Sequence, residues 1–162
     1  MKHRIRAAGI AINGDDILLL RVKDPYSGEY WIPPGGGLES SDQSSKHALI
    51  REYKEETGLD VDVGELLFIR EFLETSRDTY HVELFYQISR WEGELSLSNL
   101  DGLNDQSYIH AVEWVPLSQL ASMKTFPSDI HEKILPLIEQ QLHSYHLGSF
   151  VQGCDDEVNR LD

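Results

Sequence analysis

The sequence predicts an α/β fold, an α/β/α sandwich with a mixed sheet, and three observations support this expectation. β-branched and apolar segments lie before and after one amphipathic helical pattern that ends at Thr57-Gly58. A second amphipathic pattern follows Pro127. The chain has 162 residues, enough for one domain with a sizeable core and few for two. We therefore expect one domain over residues 1–147 and an acidic, weakly ordered tail over 148–162.

The composition is that of an ordinary globular protein without a membrane segment. Hydrophobic residues make up 40% and charged residues 26% of the chain. No apolar run approaches the roughly 18–20 residues that cross a bilayer, and the start Met1-Lys2-His3-Arg4 is unlike a signal peptide. The single Cys154 excludes an internal disulfide and a metal-thiolate site. These features predict a cytoplasmic protein with no membrane partner.

The net charge limits the kind of ligand. A formal charge of −14 argues against binding to a nucleic-acid polymer, which depends on clustered Lys and Arg. The charge does not exclude a small phosphorylated substrate, because a bound divalent cation makes an acidic site locally positive.

The first strands are predicted at residues 4–12 and 16–22, joined as a β-hairpin by the turn signal Asn13-Gly14. Arg21 and Lys23 lie at the end of the second strand, where solvated cations are common. Trp31 is expected in the core. Further strands are predicted at 59–63, 66–73, 80–91 and 111–117, with a long polar segment at 92–109 and a short helix from residue 118.

A glycine loop and a helix form the centre of the chain. Three glycines follow Pro33-Pro34, and a Ser/Asp/Gln run then supplies candidates for the N-cap of a helix. The apolar face of the helix is predicted to carry Ala48, Leu49, Ile50 and Tyr53, and Gly58 is expected to end it in the left-handed conformation. After Pro127 a longer amphipathic helix is predicted to reach Leu142, with a kink at Pro136.

Three glutamates share one face of the central helix. Glu52, Glu55 and Glu56 fall within an arc of roughly 100° because residues three and four apart are neighbours on a helix. Like charges at this spacing repel by about 0.2–0.5 kcal/mol per pair. A hard divalent cation such as Mg²⁺ would reverse that sign, since it prefers oxygen ligands.

The run Arg51-Glu52-Tyr53-Lys54-Glu55-Glu56-Thr57-Gly58-Leu59 resembles the second half of the Nudix box of the Nudix (MutT-like) hydrolases, G-x5-E-x7-R-E-U-x-E-E-x-G-U, where U is aliphatic. It matches at every charged and glycine position, with Tyr53 replacing an aliphatic residue. Direct counting from Arg51 puts Gln43 at the first family glutamate and Gly37 at the glycine. One extra loop residue would instead place Asp42 at the glutamate. Both alignments remain open, and the glutamate concerned braces the box arginine in the family.

The resemblance implies a Nudix fold with a catalytic loop-helix-loop and Mg²⁺-dependent hydrolysis of a pyrophosphate bond in a nucleoside diphosphate linked to a moiety X. Mn²⁺ is an expected substitute. The implied metal ligands are Glu52, Glu55 and Glu56, with the carbonyl of Gly36. Arg51 would orient the carboxylates, and Glu55 or a residue of the 93–113 segment would position or deprotonate the water. The alternatives are a nucleotide-binding module without turnover and an acidic structural domain with a coincidental box.

The substrate-binding candidates lie outside the box. In the family, basic residues at the place of Arg21 and Lys23 often contact substrate phosphates. The 93–108 segment, with Tyr108, is predicted to bind the moiety X and determine substrate specificity, because long loops on a rigid scaffold usually have this role. The expected partner is therefore a small nucleotide, and a homodimer is compatible with the sequence.

Overall fold

The protein, in a computed structural model, forms two sheets that position one central helix; residues 1–152 and 157–159 are described. The larger sheet has the strand order β10-β9-β6-β7-β1-β5, and the smaller one joins β2, β4 and β8 to β3. The strands are β1 (Lys2–Ile10), β2 (Ile12–Asn13), β3 (Asp16–Asp24), β4 (Gly28–Ile32), β5 (Gly35–Gly37), β6 (Asp60–Glu74), β7 (Thr79–Glu92), β8 (Ile109–Pro116), β9 (Tyr145–Gln152) and β10 (Glu157–Asn159). The helices are α1 (Ser45–Thr57) and α2 (Ile134–Glu139).

The larger sheet is mixed, which confirms the predicted α/β architecture. β1 runs parallel to β7, and β6 runs parallel to β9, while the long β6–β7 pair and the β1–β5 pair are antiparallel. Successive side chains of a strand face opposite sides of a sheet. Accordingly Ala7 packs in the apolar cluster that contains α1 residues, whereas Ala8 and Ile10 pack in the cluster that contains α2 residues.

Local sequence explains where α1 begins and ends. The Ser44 side chain accepts a hydrogen bond from the His47 N–H (3.1 Å), and Gly58 adopts the left-handed φ of 79° that the sequence predicted. Tyr53 is buried and its hydroxyl donates to the carbonyl of Gly9 (2.8 Å). Ile50, expected on the apolar face, is instead 41% exposed because it lies beside the buried stripe and away from the sheet.

The predicted N-terminal hairpin is smaller than expected. β1 pairs with β5 and β7 in the larger sheet, so the two residues of β2 alone pair with the start of β3. Asn13 faces Asp16 in that pair, which makes Gly14-Asp15 the turn in place of Asn13-Gly14. The chain therefore crosses from one sheet to the other between Ile10 and Ile12, and β1 can support the glycine strand β5.

The C-terminal part also differs from the sequence prediction. The long helix expected after Pro127 is a short 3₁₀ turn at Ser128–Ile130 and then α2, which is six residues long. Pro136 is the third residue of α2, in the first turn, where a backbone N–H would have no acceptor within the helix, so the predicted kink is wrong. The short helix predicted from residue 118 is present as the 3₁₀ segment Leu117–Ser122.

The predicted weakly ordered tail includes strand residues. β9 extends the larger sheet beside β6, and β10 pairs with β9. The rest of that tail, residues 153–156 and 160–162, lies outside the described residues, and the division of the chain at residue 147 stays a prediction. Among the helices of the described residues, none is long and apolar enough to span a membrane.

Candidate active site

The glycine strand β5 lies so close to its neighbours that Gly35 and Gly36 leave no space for a side chain. A Cβ on Gly35, whose φ is +146°, would lie 2.2 Å from the Ala7 carbonyl oxygen. A Cβ on Gly36 would lie 2.3 Å from Oε1 of Glu52. The glycines therefore allow the carboxylate of Glu52 on α1 to rest directly against the backbone of β5.

The pairing of β5 with β1 determines which way its carbonyl groups point. The Gly9 N–H donates to the Pro34 carbonyl (2.9 Å), and the Leu38 N–H donates to the Ile5 carbonyl (3.2 Å). Because hydrogen-bonded pairs alternate along an antiparallel ladder, Ala7 and Gly36 form the hydrogen-bonded pair between them. The carbonyl groups of Gly35 and Gly37 consequently point away from β1.

Arg51 joins the helix to the glycine strand. Its Nη1 donates to Oε1 of Glu52 (2.9 Å) and to Oε2 of Glu55 (3.3 Å). Its Nη2 donates to the carbonyl of Gly37 (3.2 Å). These contacts fix the directions of two of the three predicted carboxylates. The pKa of Arg51 is raised further by its hydrogen bond to Asp42 and by the neighbouring Glu52.

Asp42 is the residue that braces Arg51. The two atoms Nε and Nη2 of Arg51 donate to Oδ1 and Oδ2 of Asp42 at 3.2 and 2.8 Å, a forked pairing that restrains the orientation of the guanidinium. The same contact lowers the pKa of Asp42. Gln43 is exposed, and its backbone N–H donates to Nδ1 of His47 (3.3 Å). The structure thus matches the alignment with one extra loop residue.

Three carboxylates meet at the end of the glycine strand. One oxygen from each of Glu52, Glu56 and Asp105 lies within 4.8 Å of the other two. Glu52 and Glu56 are buried, whereas Asp105 is exposed. Clustered carboxylate oxygens around a partly open position are the ligands that hard divalent cations prefer, so these residues fit Mg²⁺ or Mn²⁺.

Burial makes the negative charge of this cluster costly. Burial, reinforced by the negative charge of Glu52, raises the pKa of Glu56 well above its usual range. Oε2 of Glu56 accepts the Gly35 N–H (2.7 Å), which acts in the opposite direction on the pKa. Burial also raises the pKa of Glu52, against the effect of the neighbouring Arg51. Either protons or a cation must therefore compensate the two buried carboxylates.

Asp105 was not identified individually from the sequence. It lies in the 3₁₀ turn Asn104–Ser107 of the long polar segment, and that segment was the only sequence signal. The segment is anchored at Leu100, which packs with Leu20 and Ile109. In addition, the side-chain amide of Asn99 donates to the Lys54 carbonyl of α1 (2.8 Å). Tertiary anchoring of this kind has no local sequence signature.

Glu55 is separated from this cluster. Its carboxylate is paired with Arg51, and its side chain is 30% exposed. Of the residues predicted to bind metal, the structure brings Glu52 and Glu56 together with Asp105, and it places Glu55 on the outer side of the arginine.

The predicted substrate-binding residues occupy two places. Lys23 and Tyr108 line one surface cleft of about 400 Å³ together with Asp24, Pro25, Ser107 and His110. This cleft adjoins the turn that carries Asp105, because the Tyr108 N–H donates to the Asp105 carbonyl (3.0 Å). Arg21 lies outside the cleft lining, with Nη1 3.7 Å from Oε2 of Glu29.

Comparison with known proteins agrees with this arrangement. A family model described as the NUDIX domain matches residues 2–138. The uncharacterized Nudix hydrolase YvcI of Bacillus subtilis (strain 168) is 28% identical over 133 residues, which cover 81% of this chain and 78% of that protein.

Solved structures share the fold. The mutator MutT protein from Bacillus halodurans superposes with a TM-score of 0.72 at 22% identity, covering 96% of this chain and 94% of that one. An ADP-ribose pyrophosphatase from Streptococcus suis 89-1591 superposes with a TM-score of 0.58 at 20% identity, covering 88% of this chain and 98% of that one. At these identities the structural likeness establishes the fold.

The pairing of Asp42 with Arg51 generates a prediction with a matched neighbour as control. Asp42→Ala should lower kcat/KM by more than tenfold, about 1.4 kcal/mol in the barrier, because Arg51 then loses its forked partner and no longer fixes Glu52. Gln43→Ala, at the adjacent exposed position, should stay within about twofold of the parent. Equal losses in both variants, measured by steady-state kinetics, would contradict the assignment of Asp42.

The raised pKa of Glu56 generates a pH prediction for the protein in excess chelator. The pKa of Glu56 is higher in the folded protein than in the unfolded chain, where it is near 4.5, so folded Glu56 retains its proton to higher pH. The free energy of unfolding should therefore fall as the pH rises above about 4.5, until the raised pKa is passed. Urea unfolding at a series of pH values should give a shallower slope for Glu56→Gln than for the parent. Identical slopes in the parent and in Glu56→Gln would show that Glu56 does not cause the pH dependence of the free energy of unfolding.

Proposed function

Because the chain belongs to the NUDIX family of hydrolases, which act on phosphoanhydride bonds, we propose that it is a Mg²⁺-dependent enzyme that cleaves the pyrophosphate linkage of a nucleoside diphosphate joined to a moiety X. The observation that carries this proposal is the convergence of Glu52, Glu56 and Asp105 within 4.8 Å beside the glycine strand. A cytoplasmic location and a small nucleotide substrate, with no nucleic-acid polymer or membrane partner, complete the proposal, and a homodimer is compatible with it.

The residues that would hold the metal are Glu52, Glu56 and Asp105, with Glu55 and the carbonyl of Gly36 as further oxygen donors. The Gly36 carbonyl faces Ala7 in the ladder, but a carbonyl oxygen has two lone pairs and can accept a second interaction. When bound, Mg²⁺ neutralises charge on the phosphate oxygens and lowers the pKa of a bound water; Mn²⁺ can supply the same chemistry.

Arg51 acts in this proposal by orientation and not by reaction. It contacts two carboxylates and the Gly37 carbonyl, and Asp42 restrains it from the opposite side. Holding the carboxylates in place before the substrate arrives reduces the reorganisation needed during the reaction.

Two carboxylates are candidates to position or deprotonate the attacking water. Glu55 has a partly exposed carboxylate beside Arg51, outside the buried pair. Asp105 is exposed at the mouth of the cluster and belongs to the 93–113 segment. A general base needs access to both water and the reacting phosphorus, and the two buried carboxylates are less suited to that role.

The moiety X is proposed to bind in the cleft of Lys23 and Tyr108. The ammonium of Lys23 can pair with a phosphate, and the ring of Tyr108, which is 42% exposed, can stack on a planar group. His110 adds a further polar side chain to the lining. Arg21, which lies outside this lining, is retained as a second candidate for a phosphate contact.

Product analysis in ¹⁸O-water tests the reaction class. With a panel of nucleoside diphosphate derivatives and Mg²⁺, the label should appear in a phosphate product, because water attacks phosphorus. Label in the sugar would indicate a different bond cleavage. Binding of nucleotides without turnover across the panel would favour a nucleotide-binding module in place of an enzyme.

Variants at the cluster should separate chemistry from binding. Glu52→Gln, Glu56→Gln and Asp105→Asn should each lower kcat by more than tenfold with smaller changes in nucleotide affinity, because the carboxylates act mainly on the transition state. Tyr108→Ala should instead raise KM for some derivatives more than for others. Unchanged kcat in Asp105→Asn would remove Asp105 from the site.

A further inference from the structure

Three buried charged residues form a chain across the larger sheet. Nη1 of Arg6 on β1 lies 3.5 Å from Oε1 of Glu83 on β7, and Nη1 of Arg70 on β6 lies 3.4 Å from Oε2 of the same carboxylate. Their exposed fractions are 8%, 1% and 0%. Burying such a group of charges costs desolvation energy. A protein with apolar residues of similar size in their place is often equally stable or more stable. Stability alone therefore does not explain why these residues are charged.

Arg6 makes a second set of contacts, with the segment that leads into β5. Its Nη2 donates to the carbonyl of Pro33 (2.9 Å) and to the carbonyl of Gly35 (3.1 Å). Both carbonyl groups belong to residues just before Gly36 in the chain, and Gly36 is the residue that the Glu52 carboxylate contacts. A guanidinium can direct several fixed N–H groups at once, so it can hold a loop and an ion pair together.

Gly35 connects Arg6 with the carboxylate cluster. Its carbonyl accepts from Arg6 (3.1 Å), and its N–H donates to Oε2 of Glu56 (2.7 Å). The strand alternation described above turns both groups away from β1, so the ladder with β1 does not hold them. Arg6 and Glu56 thus fix the same residue through its carbonyl and its amide.

We propose that Arg6 is a positioning residue of the metal site: anchored by Glu83, it holds the backbone at residues 33–35 so that the Gly35 amide aligns the carboxylate of Glu56. This inference rests on the proposed function for its consequence in catalysis, but the structural step involves only residues of this chain. Arg70 is paired with the same glutamate, and its guanidinium also lies over the rings of Phe72 and Phe126. It serves as the matched control.

The test compares Arg6→Met with Arg70→Met, because each substitution removes one arginine from Glu83. Mn²⁺ affinity is measured by the loss of the free-ion electron paramagnetic resonance signal, at a temperature where circular dichroism shows each variant folded. Arg6→Met should weaken Mn²⁺ binding more than tenfold, Arg6→Lys by an intermediate factor, and Arg70→Met by less than threefold. If Arg70→Met does not fold, Arg70→Lys replaces it as the control, since lysine keeps a cation beside Glu83 and leaves Arg6 with its partners.

A second measurement is independent of metal. Hydrogen exchange of the Gly35 amide, followed by NMR, should be at least tenfold faster in Arg6→Met than in the control. Mn²⁺ binding within threefold of the parent together with a protected Gly35 amide would overturn the inference, as would equal weakening by both arginine substitutions. A parent that binds no Mn²⁺ would contradict the proposed function instead, and exchange at Gly35 would then decide the role of Arg6.

Discussion

The arrangement of the site depends on one positively charged side chain, that of Arg51. Arg51 contacts Glu52, Glu55, Asp42 and the carbonyl of Gly37, so a single guanidinium ties the helix to the loop before it and to the glycine strand. Without this arginine the glutamates on one face of α1 would repel one another and turn towards solvent. With it, their directions are set in advance of any ligand, and the remaining buried charge is left for a cation to compensate.

The second constraint is the short distance between α1 and β5. Gly35 lets β5 lie against β1, and Gly36 lets the carboxylate of Glu52 contact the backbone of β5. The Gly35 amide donates to Glu56. Both carboxylates are buried as a result, which raises their pKa values and makes the metal-free protein less stable at neutral pH. Local instability of this kind is a common cost of a preorganised site.

The sequence predicts the residues of the site on α1 better than it predicts the strands and the second helix around them. Helix α1, its end at Gly58, Arg51 and the box glutamates follow from local spacing, since residues within two turns of a helix have fixed relative positions. The choice between Asp42 and Gln43 required the structure, because the loop between the glycines and α1 has no fixed period.

Asp105 and Arg6 were missed for a related reason: each reaches the site through tertiary contacts that span tens of residues. The small N-terminal hairpin and the short α2 were mispredicted where strand partners and a proline near a helix start overrode the local pattern.

We expect the buried carboxylates Glu52 and Glu56 to form one divalent metal site with Asp105. Anomalous X-ray diffraction from crystals soaked in Mn²⁺ tests it most directly, because the anomalous signal locates the metal without assumptions about the ligands. A strong anomalous peak should lie between the carboxylate oxygens of Glu52, Glu56 and Asp105. A crystal with bound Mn²⁺ whose peaks all lie at other acidic residues, with Arg51 and the cluster unchanged, would contradict it.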